Sequence, residues 1–446
     1  MKYINDLEPL IDIIDFIEPT NEMNDNTDQL IESCYTLFDA YISENPTAIS
    51  DPDFEEIIIE EITDMLIMQI GDNITDKEHE DLEEIVEYAY DQYFEFIATP
   101  RSYPDSIIIN EQLNIDNIQK QLDYLSSKPQ PTQRTPEWYT FRHNLITASN
   151  AYKAFENQTI KNQLIYEKCL PLLIKQNIDI DQPTIVHQVN INTTLHWGQK
   201  YEPLSVMLYE YIYKSKVADF GCIQHDMYSF IGASPDGINV DQTSKRFGRM
   251  LEIKNIVNRE IDGIPKKEYW IQMQMQMETC NLEECDFLET KFEEYLSYDE
   301  FMLDGSFLLS LKNERKGIIM YFANADGNPK YVYLPLHIQT NEEFEIFESA
   351  TIDEFENMTW ISNYYWKLEI MSCVLVPRNK QWFQSNIQEL TNIWNIILEE
   401  RETDYSHRAP NKRANKLEIQ HVELNQNNGC LLELNKETGK YSIINK

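Results

Sequence analysis

The sequence predicts an α/β protein: a mixed sheet flanked by helices, preceded by an acidic all-α N-terminal domain. Three observations carry this. Residues 1–100 repeat apolar side chains at three-and-four spacing among many acids. The stretch 231–254, IGASPDGINVDQTSKRFGRMLEIK, sets short apolar runs on either side of a tight turn. KEYWIQMQMQMETC at 267–280 is built of strong helix formers, and ECDFLET at 284–290 then reads as a further strand that completes the sheet.

At 446 residues the chain is long enough for two or three domains with proper cores, and 42% hydrophobic with 12% aromatic residues marks it as folded. The net charge of −39 is unevenly spread. Residues 1–120 hold 31 Asp and Glu against 4 Lys and Arg, a net of −27, whereas residues 131–260 hold 13 against 14, a net of +1. The acid therefore sits mostly in an appendage, and the near-neutral middle remains compatible with a nucleic-acid partner. The start, MKYINDLEPL, has no signal-peptide pattern and no apolar run nears the ~20 residues of a membrane span, so a soluble intracellular protein is expected. Seven cysteines without a C-x-x-C pair fit a reducing compartment and argue against a zinc or iron–sulfur site.

In chain order, helices are expected at 6–18, 27–44, 51–72 and 77–98, with Asp51-Pro52 and Thr75-Asp76 as starts. These form an acidic helical domain, 1–128, whose role is a solvated face, a docking module or a DNA-mimicking surface. A short helix at 111–125 leads to a Pro- and Ser-containing linker, and the second domain runs from 129 to 402. Thr135-Pro136 caps its first helix, and a second begins around Thr147. An amphipathic helix at 198–214 buries Tyr201, Leu204, Leu208 and Tyr211, with Glu202 bordering that stripe. Residues 316–334 read as a hairpin around Asp326-Gly327. Both TWISNYYWKLEIMSC (359–373) and KQWFQSNIQELTNIWNIILEE (380–400) are read as helical, and 403–446 as a basic linker with a flexible tail.

Chemistry concentrates in 231–254, read as a β-hairpin with a carboxylate on each arm. Alternation puts Glu252 and Lys254 on one face of a strand and Ile253 on the other, and Asp236 occupies the Ser-Pro-Asp-Gly turn. Two carboxylates beside an ammonium suit a hard divalent cation and a water, with the Ile253 carbonyl as a further oxygen ligand. Lys254 would orient or deprotonate that water. Taken alone, this spacing more often marks an ordinary surface strand. Arg142 and Ser149 at a helix N-terminus form a natural phosphate site. Lys245, Arg246 and Arg249 in the loop between the arms are candidate contacts to a DNA backbone, or a plain charged turn.

The order Glu202, Ser-Pro-Asp-Gly, Glu-x-Lys, Tyr-x-x-Gln-x-Gln resembles the PD-(D/E)xK nucleases. Together with Trp138…Arg142…Ile146-Thr147-Ala148-Ser149, it is most similar to the lambda exonuclease or YqaJ-type viral recombinase branch, and Tyr364-Tyr365-Trp366-Lys367-Leu368-Glu369 and Arg378-Asn379-Lys380-Gln381-Trp382-Phe383 resemble the C-terminal part of the version found in large DNA viruses of eukaryotes. Asn144 replaces that pattern's glycine. The resemblance spans about 134–400 and implies a restriction-endonuclease-like core and a Mg²⁺-dependent 5′→3′ exonuclease on linear double-stranded DNA, with Mn²⁺ as a substitute. It assigns Asp236, Glu252, Ile253 and Glu202 to metal, with Glu202 also counted as catalytic. Lys254 and Gln272 are assigned to catalysis, Gln274 to a DNA contact, and Arg142 and Ser149 to the 5′-phosphate. It further implies roles in viral recombination, repair or replication, a single-strand annealing recombinase as partner, a homo-oligomer, and a place in the host cytoplasm, the viral factory or the virion. The alternatives are an endonuclease or structure-specific nuclease on the same core, and an acidic interaction or DNA-mimic protein on a retired core.

Overall fold

The structure, a computed structural model, describes residues 21–70, 75–133, 135–172 and 190–410, with two short paired strands at 432–434 and 441–443. The helix expected at 6–18, the basic residues Lys412 and Arg413, and Cys430 lie outside the described residues.

Helices α1 (Asn21–Glu44), α2 (Phe54–Ile70) and α3 (Asp76–Phe96) form the acidic part. Thr75 starts α3 through a capping box: its hydroxyl accepts from Glu78 N, and Glu78 Oε2 accepts from Thr75 N at 2.8 Å. Helix α4 (Ile115–Ser127) follows, then α5 (Pro136–His143), whose first turn is capped by the Thr135 hydroxyl. Strand β1 (Ile146–Thr147), α6 (Ala148–Ala151), α7 (Gln158–Cys169) and α8 (Thr194–Tyr213) lead into the strands β2 (Val217–Ala218), β3 (Ile223–Gln224), β4 (Ile231–Ala233), β5 (Gly237–Asn239) and β6 (Met250–Ile256). Then come α9 (Lys267–Cys280), β7 (Glu284–Tyr295), α10 (Tyr298–Leu303), β8 (Lys316–Ala323), β9 (Pro329–Tyr333), α11 (Asn341–Glu354), β10 (Thr359–Pro377) and α12 (Lys380–Glu402).

The main sheet is mixed, in the order β2-β5-β6-β7-β10-β8-β9, with β6 and β7 parallel and the other neighbours antiparallel. A parallel pair needs a crossover, and α9 supplies it. One face of β6 and β7 packs Leu251, Ile253 and Leu288 with Tyr209 of α8, and the opposite face packs Met250 and Phe287 with Trp270, Met273 and Met277 of α9. That second core runs on without a break to Phe38, Phe54 and Tyr93 of the acidic helices and to Trp382 of α12. Arg101 reinforces the join, donating to Ser50 O at 3.2 Å and to Pro265 O. No described helix is long and apolar enough to cross a membrane.

Two local readings change. Strand β4 pairs with β1 and β3 in a separate three-stranded sheet, so the arms of the hairpin are β5 and β6 rather than the runs on either side of Pro235. Pro235 has no N–H to offer a ladder, and the chain changes sheets there. Residues 359–377 are not helical but one long strand, paired along 359–367 with β8 and along 365–377 with β7. Its Trp, Tyr, Ile and Val side chains suit a pleated surface, and cross-strand partners on both sides decide the outcome.

Candidate active site

Strand β6 places Glu252 inside the protein, 0% exposed, on the face turned to α9. A carboxylate removed from water must have its oxygens satisfied. Lys254, two residues on and on the same face, forms an ion pair with Glu252 Oε1, to which Gln272 Nε2 also donates at 2.7 Å. Gln276, one helical turn beyond Gln272, donates Nε2 to Glu252 Oε2 at 2.7 Å and to Ser234 O at 3.2 Å.

Asp236 closes the site from the turn before β5. In a strand the N–H and C=O of one residue point to the same edge, and beyond the Gly237–Leu251 pair the β6 edge is free of a partner strand. The Asp236 side chain takes that place: its Oδ2 accepts from Ile253 N at 2.7 Å, and the Ile253 carbonyl faces the same side. Burial, then the neighbouring Glu252, pushes the Asp236 carboxyl well above the ordinary carboxylate range; Glu202 adds to this, while Lys254 and the Ile253 N–H oppose it. Burial alone would lower the Lys254 pKa, but Glu252 and Asp236 outweigh it and hold the ammonium firmly protonated. The same ammonium lies 4.8 Å from the Tyr269 ring centroid. Until its carboxylate neighbours are neutralised, Lys254 is a donor rather than a base.

Glu202 is exposed on α8, not buried at the edge of the stripe, and its charge reaches Asp236 and Tyr333. The donors Asp236, Glu252, Glu202 and the Ile253 carbonyl are all hard oxygens, the set Mg²⁺ prefers. Among the described residues no three His, Cys, Asp or Glu side chains converge closely enough to cage an ion unaided. Mg²⁺ retains several waters, so two carboxylates suffice, and the buried Gln276 Oε1, which has no hydrogen-bond partner, is an acceptor suited to such a water. The residues fit a hydrated divalent cation.

The Arg142 guanidinium stacks 4.6 Å from the Trp138 ring centroid and donates to Ser234 Oγ at 3.2 Å, which brings it beside the Asp236 turn. Ser149 is exposed in the first turn of α6, its Oγ 3.3 Å from Thr147 Oγ1. Asn144, which stands where the family pattern has glycine, has φ −90°, so the turn never needed a left-handed residue. Lys168 Nζ donates to Arg142 O at 2.9 Å, and Arg401 donates to Lys168 O and His143 O. Among the described residues none of these three cations makes an ion pair. Burial, then Arg142 and Arg401, lowers the Lys168 pKa to about 8. Lys168 and Arg401 spend their donors on carbonyls at the C-terminal ends of α5 and α7, so the three side chains gather positive charge beside the Arg142 turn.

Other candidates are turned away. Arg249 is 2% exposed and held by Glu284 and by Asp286 at 3.0 Å; Arg246 lies over the Tyr213 ring and donates to Ser106. Both neutralise the buried Asp286, which also accepts from Tyr209. Lys245 is exposed and pairs with Glu111. Gln274 is buried on the far side of α9, donating to Pro377 O and accepting from Asn379 N. Gln276, not Gln274, is the second glutamine of the site. The helical repeat was the available signal, because positions four apart share a face and positions two apart do not.

Residues 137–283 match the YqaJ-like viral recombinase domain. Over 402 residues the chain is 28% identical to an uncharacterized protein of Acanthamoeba polyphaga mimivirus, covering 80% of this chain and 69% of that one. Two crystal structures of LHK-Exo, an alkaline exonuclease from Laribacter hongkongensis, one in complex with dAMP, are loosely similar at 19% identity. They cover 60% and 61% of this chain and 95% of their own, with TM-scores of 0.33 and 0.31. Every residue gathered around Glu252, and the Arg142 turn with it, falls within the stretch that matches the YqaJ-like viral recombinase domain, the family that the motifs resemble.

Proposed function

We propose that this protein is a divalent-metal-dependent deoxyribonuclease that degrades linear double-stranded DNA from 5′ ends, with Mg²⁺ as its ion and Mn²⁺ as a substitute, in the recombination, repair or replication of viral DNA. The observation that carries the reading is the buried Glu252, bracketed by Lys254, Gln272 and Gln276 and faced by Asp236. Asp236, Glu252 and the Ile253 carbonyl would hold the cation, with Glu202 at the mouth of the site. Bound there, a divalent ion supplies Lewis acidity and an acidified water. The chain supplies the rest. Gln272 and Gln276 fix the Glu252 carboxylate and orient water. Lys254 donates to the oxygen that gains charge, and with its carboxylate neighbours neutralised it also becomes able to accept a proton. Arg142, supported by Lys168 and Arg401, would grip a 5′-phosphate beside Ser149 and favours end recognition over internal cutting.

The test is digestion of linear duplexes with 5′-phosphate or 5′-hydroxyl ends beside a closed circle, in Mg²⁺, in Mn²⁺ and in EDTA, with Asp236→Asn as control. Rapid loss of the phosphorylated linear duplex, with the variant inactive, is the expected result. Equal cutting of the circle would replace this reading with an endonuclease. No cutting with either ion would leave the acidic helices as the functional surface, pairing with a basic partner. The proposed homo-oligomer and annealing-recombinase partner are read separately, by sedimentation and by co-purification from infected cells.

A further inference from the structure

The loop 257–266 between β6 and α9 carries a cation that the mechanism above leaves unused. Arg259 pairs with Glu289 of β7, with 22% of its own side chain exposed and 1% of Glu289's. Glu289 is the register neighbour of Lys254 across the parallel β6–β7 pair, so the two backbones lie about 4.8 Å apart at that point. The Arg259 guanidinium stands 5.8 Å from the centroid of the Tyr269 ring, the ring that Lys254 approaches to 4.8 Å. Sharing one ring keeps the two cations within about 11 Å, and each DNA strand carries a phosphate about every 3.4 Å along its axis. A cation so placed lies within about three phosphates of the one at Lys254.

The pairing shows how the arginine is held. Glu289 Oε2 is buried with no hydrogen-bond partner, so the carboxylate is incompletely satisfied and Arg259 is the one cation that pairs with it among the described residues. Arg259 Nη1 also donates to Glu260 O at 3.1 Å, which fixes the plane of the guanidinium. A buried carboxylate thus anchors an arginine whose side chain keeps 22% of its surface exposed, an arrangement that can present the cation at the surface.

We infer that Arg259 is a second phosphate-binding residue of the reaction centre, positioned by Glu289 to take a phosphodiester close to the one cut beside Lys254. The inference rests on the nuclease reading, and its test is therefore a binding measurement made without metal. Wild type, Arg259→Gln, Glu289→Gln and the double variant Arg259→Gln/Glu289→Gln are titrated with a short fluorescent duplex in EDTA over a series of salt concentrations, after thermal melts confirm folding. Losing one phosphate contact is expected to flatten the log–log salt dependence by about one, in Arg259→Gln and in the double variant alike. With Mg²⁺, both are expected to raise KM more than they lower kcat. If Arg259 merely neutralises Glu289, the double variant regains the wild-type slope and KM, and the inference falls. It falls equally if Arg259→Gln, folded, binds with an unchanged slope, or if wild type binds no duplex. Absence of cleavage by a wild type that binds duplex with the expected slope difference would count against the nuclease reading alone.

Discussion

Asp236→Asn and Glu252→Ala are both expected to abolish cutting, yet to move stability in opposite directions. Glu252 accepts from an ammonium and two amides at full burial. Alanine leaves all three donors facing a hole, and breaking a buried pair by removing one partner costs about 3–5 kcal/mol. At roughly 2–4 °C per kcal/mol, Tm falls by about 10 °C. Asp236 is the reverse case. Burial and Glu252 raise its pKa in the folded state above the unfolded value, so the folded protein keeps a proton that the unfolded chain releases. The resulting penalty is absent below the unfolded carboxylate pKa of about 4, grows as pH rises, and is complete above the folded pKa. Asparagine keeps the acceptor for Ile253 N–H and removes the charge, so at neutral pH the variant gains on the order of 1 kcal/mol, a few degrees in Tm. The assay is a thermal melt in EDTA across pH 4–8, beside the DNA digestion. Saturating Mg²⁺ at about 100 times its Kd adds about 2.7 kcal/mol to wild type but not to the variant, and reverses their order. A loss of stability in Asp236→Asn in EDTA, or a gain that does not grow with pH, would refute the two-carboxylate electrostatics on which the metal site rests.

Three further outcomes are expected. Gln276→Ala lowers kcat about 10–100-fold, as loss of a group that orients a ligand does, whereas Gln274→Ala costs about 1–3 kcal/mol of stability through its unpaired backbone partners and leaves the activity of the folded fraction unchanged; paired kinetics and melts separate the two. Arg249→Met uncovers the buried Asp286 and the half-buried Glu284 and destabilises by about 3–5 kcal/mol, without altering the salt dependence of duplex binding, because the side chain faces inward. Lys168, with its folded pKa lowered to about 8, is charged at neutral pH and loses that charge as pH rises, so the preference for a 5′-phosphate over a 5′-hydroxyl end is expected to shrink between pH 7 and 9 and to become flat in Lys168→Gln.

The centre of the site was legible because β6 obeys a rule with period two: alternation alone put Glu252 with Lys254 and sent Ile253 to the other face, and the structure keeps that arrangement. Gln272 could be found because α9 is a helix by composition; Gln276 was equally accessible, but motif order drew attention to Gln274 and helical geometry overrules motif order. What could not be read locally depends on partners distant in sequence. An arginine in a loop carries no sign of whether it faces water or a buried acid, and the acid that captures Arg246 and Arg249 lies on β7 beyond the whole of α9. The run 359–377 has side chains that a helix would tolerate, and it becomes a strand because β7 and β8 each leave an edge for it. The same holds for charge. A net of −39 argues against a DNA-binding protein only if charge is averaged over the chain, whereas binding is decided by cations left uncompensated. Arg142, Lys168 and Arg401, none of which pairs with a described acid, meet at one turn only because the fold brings α5, α7 and α12 together, and no local pattern shows that.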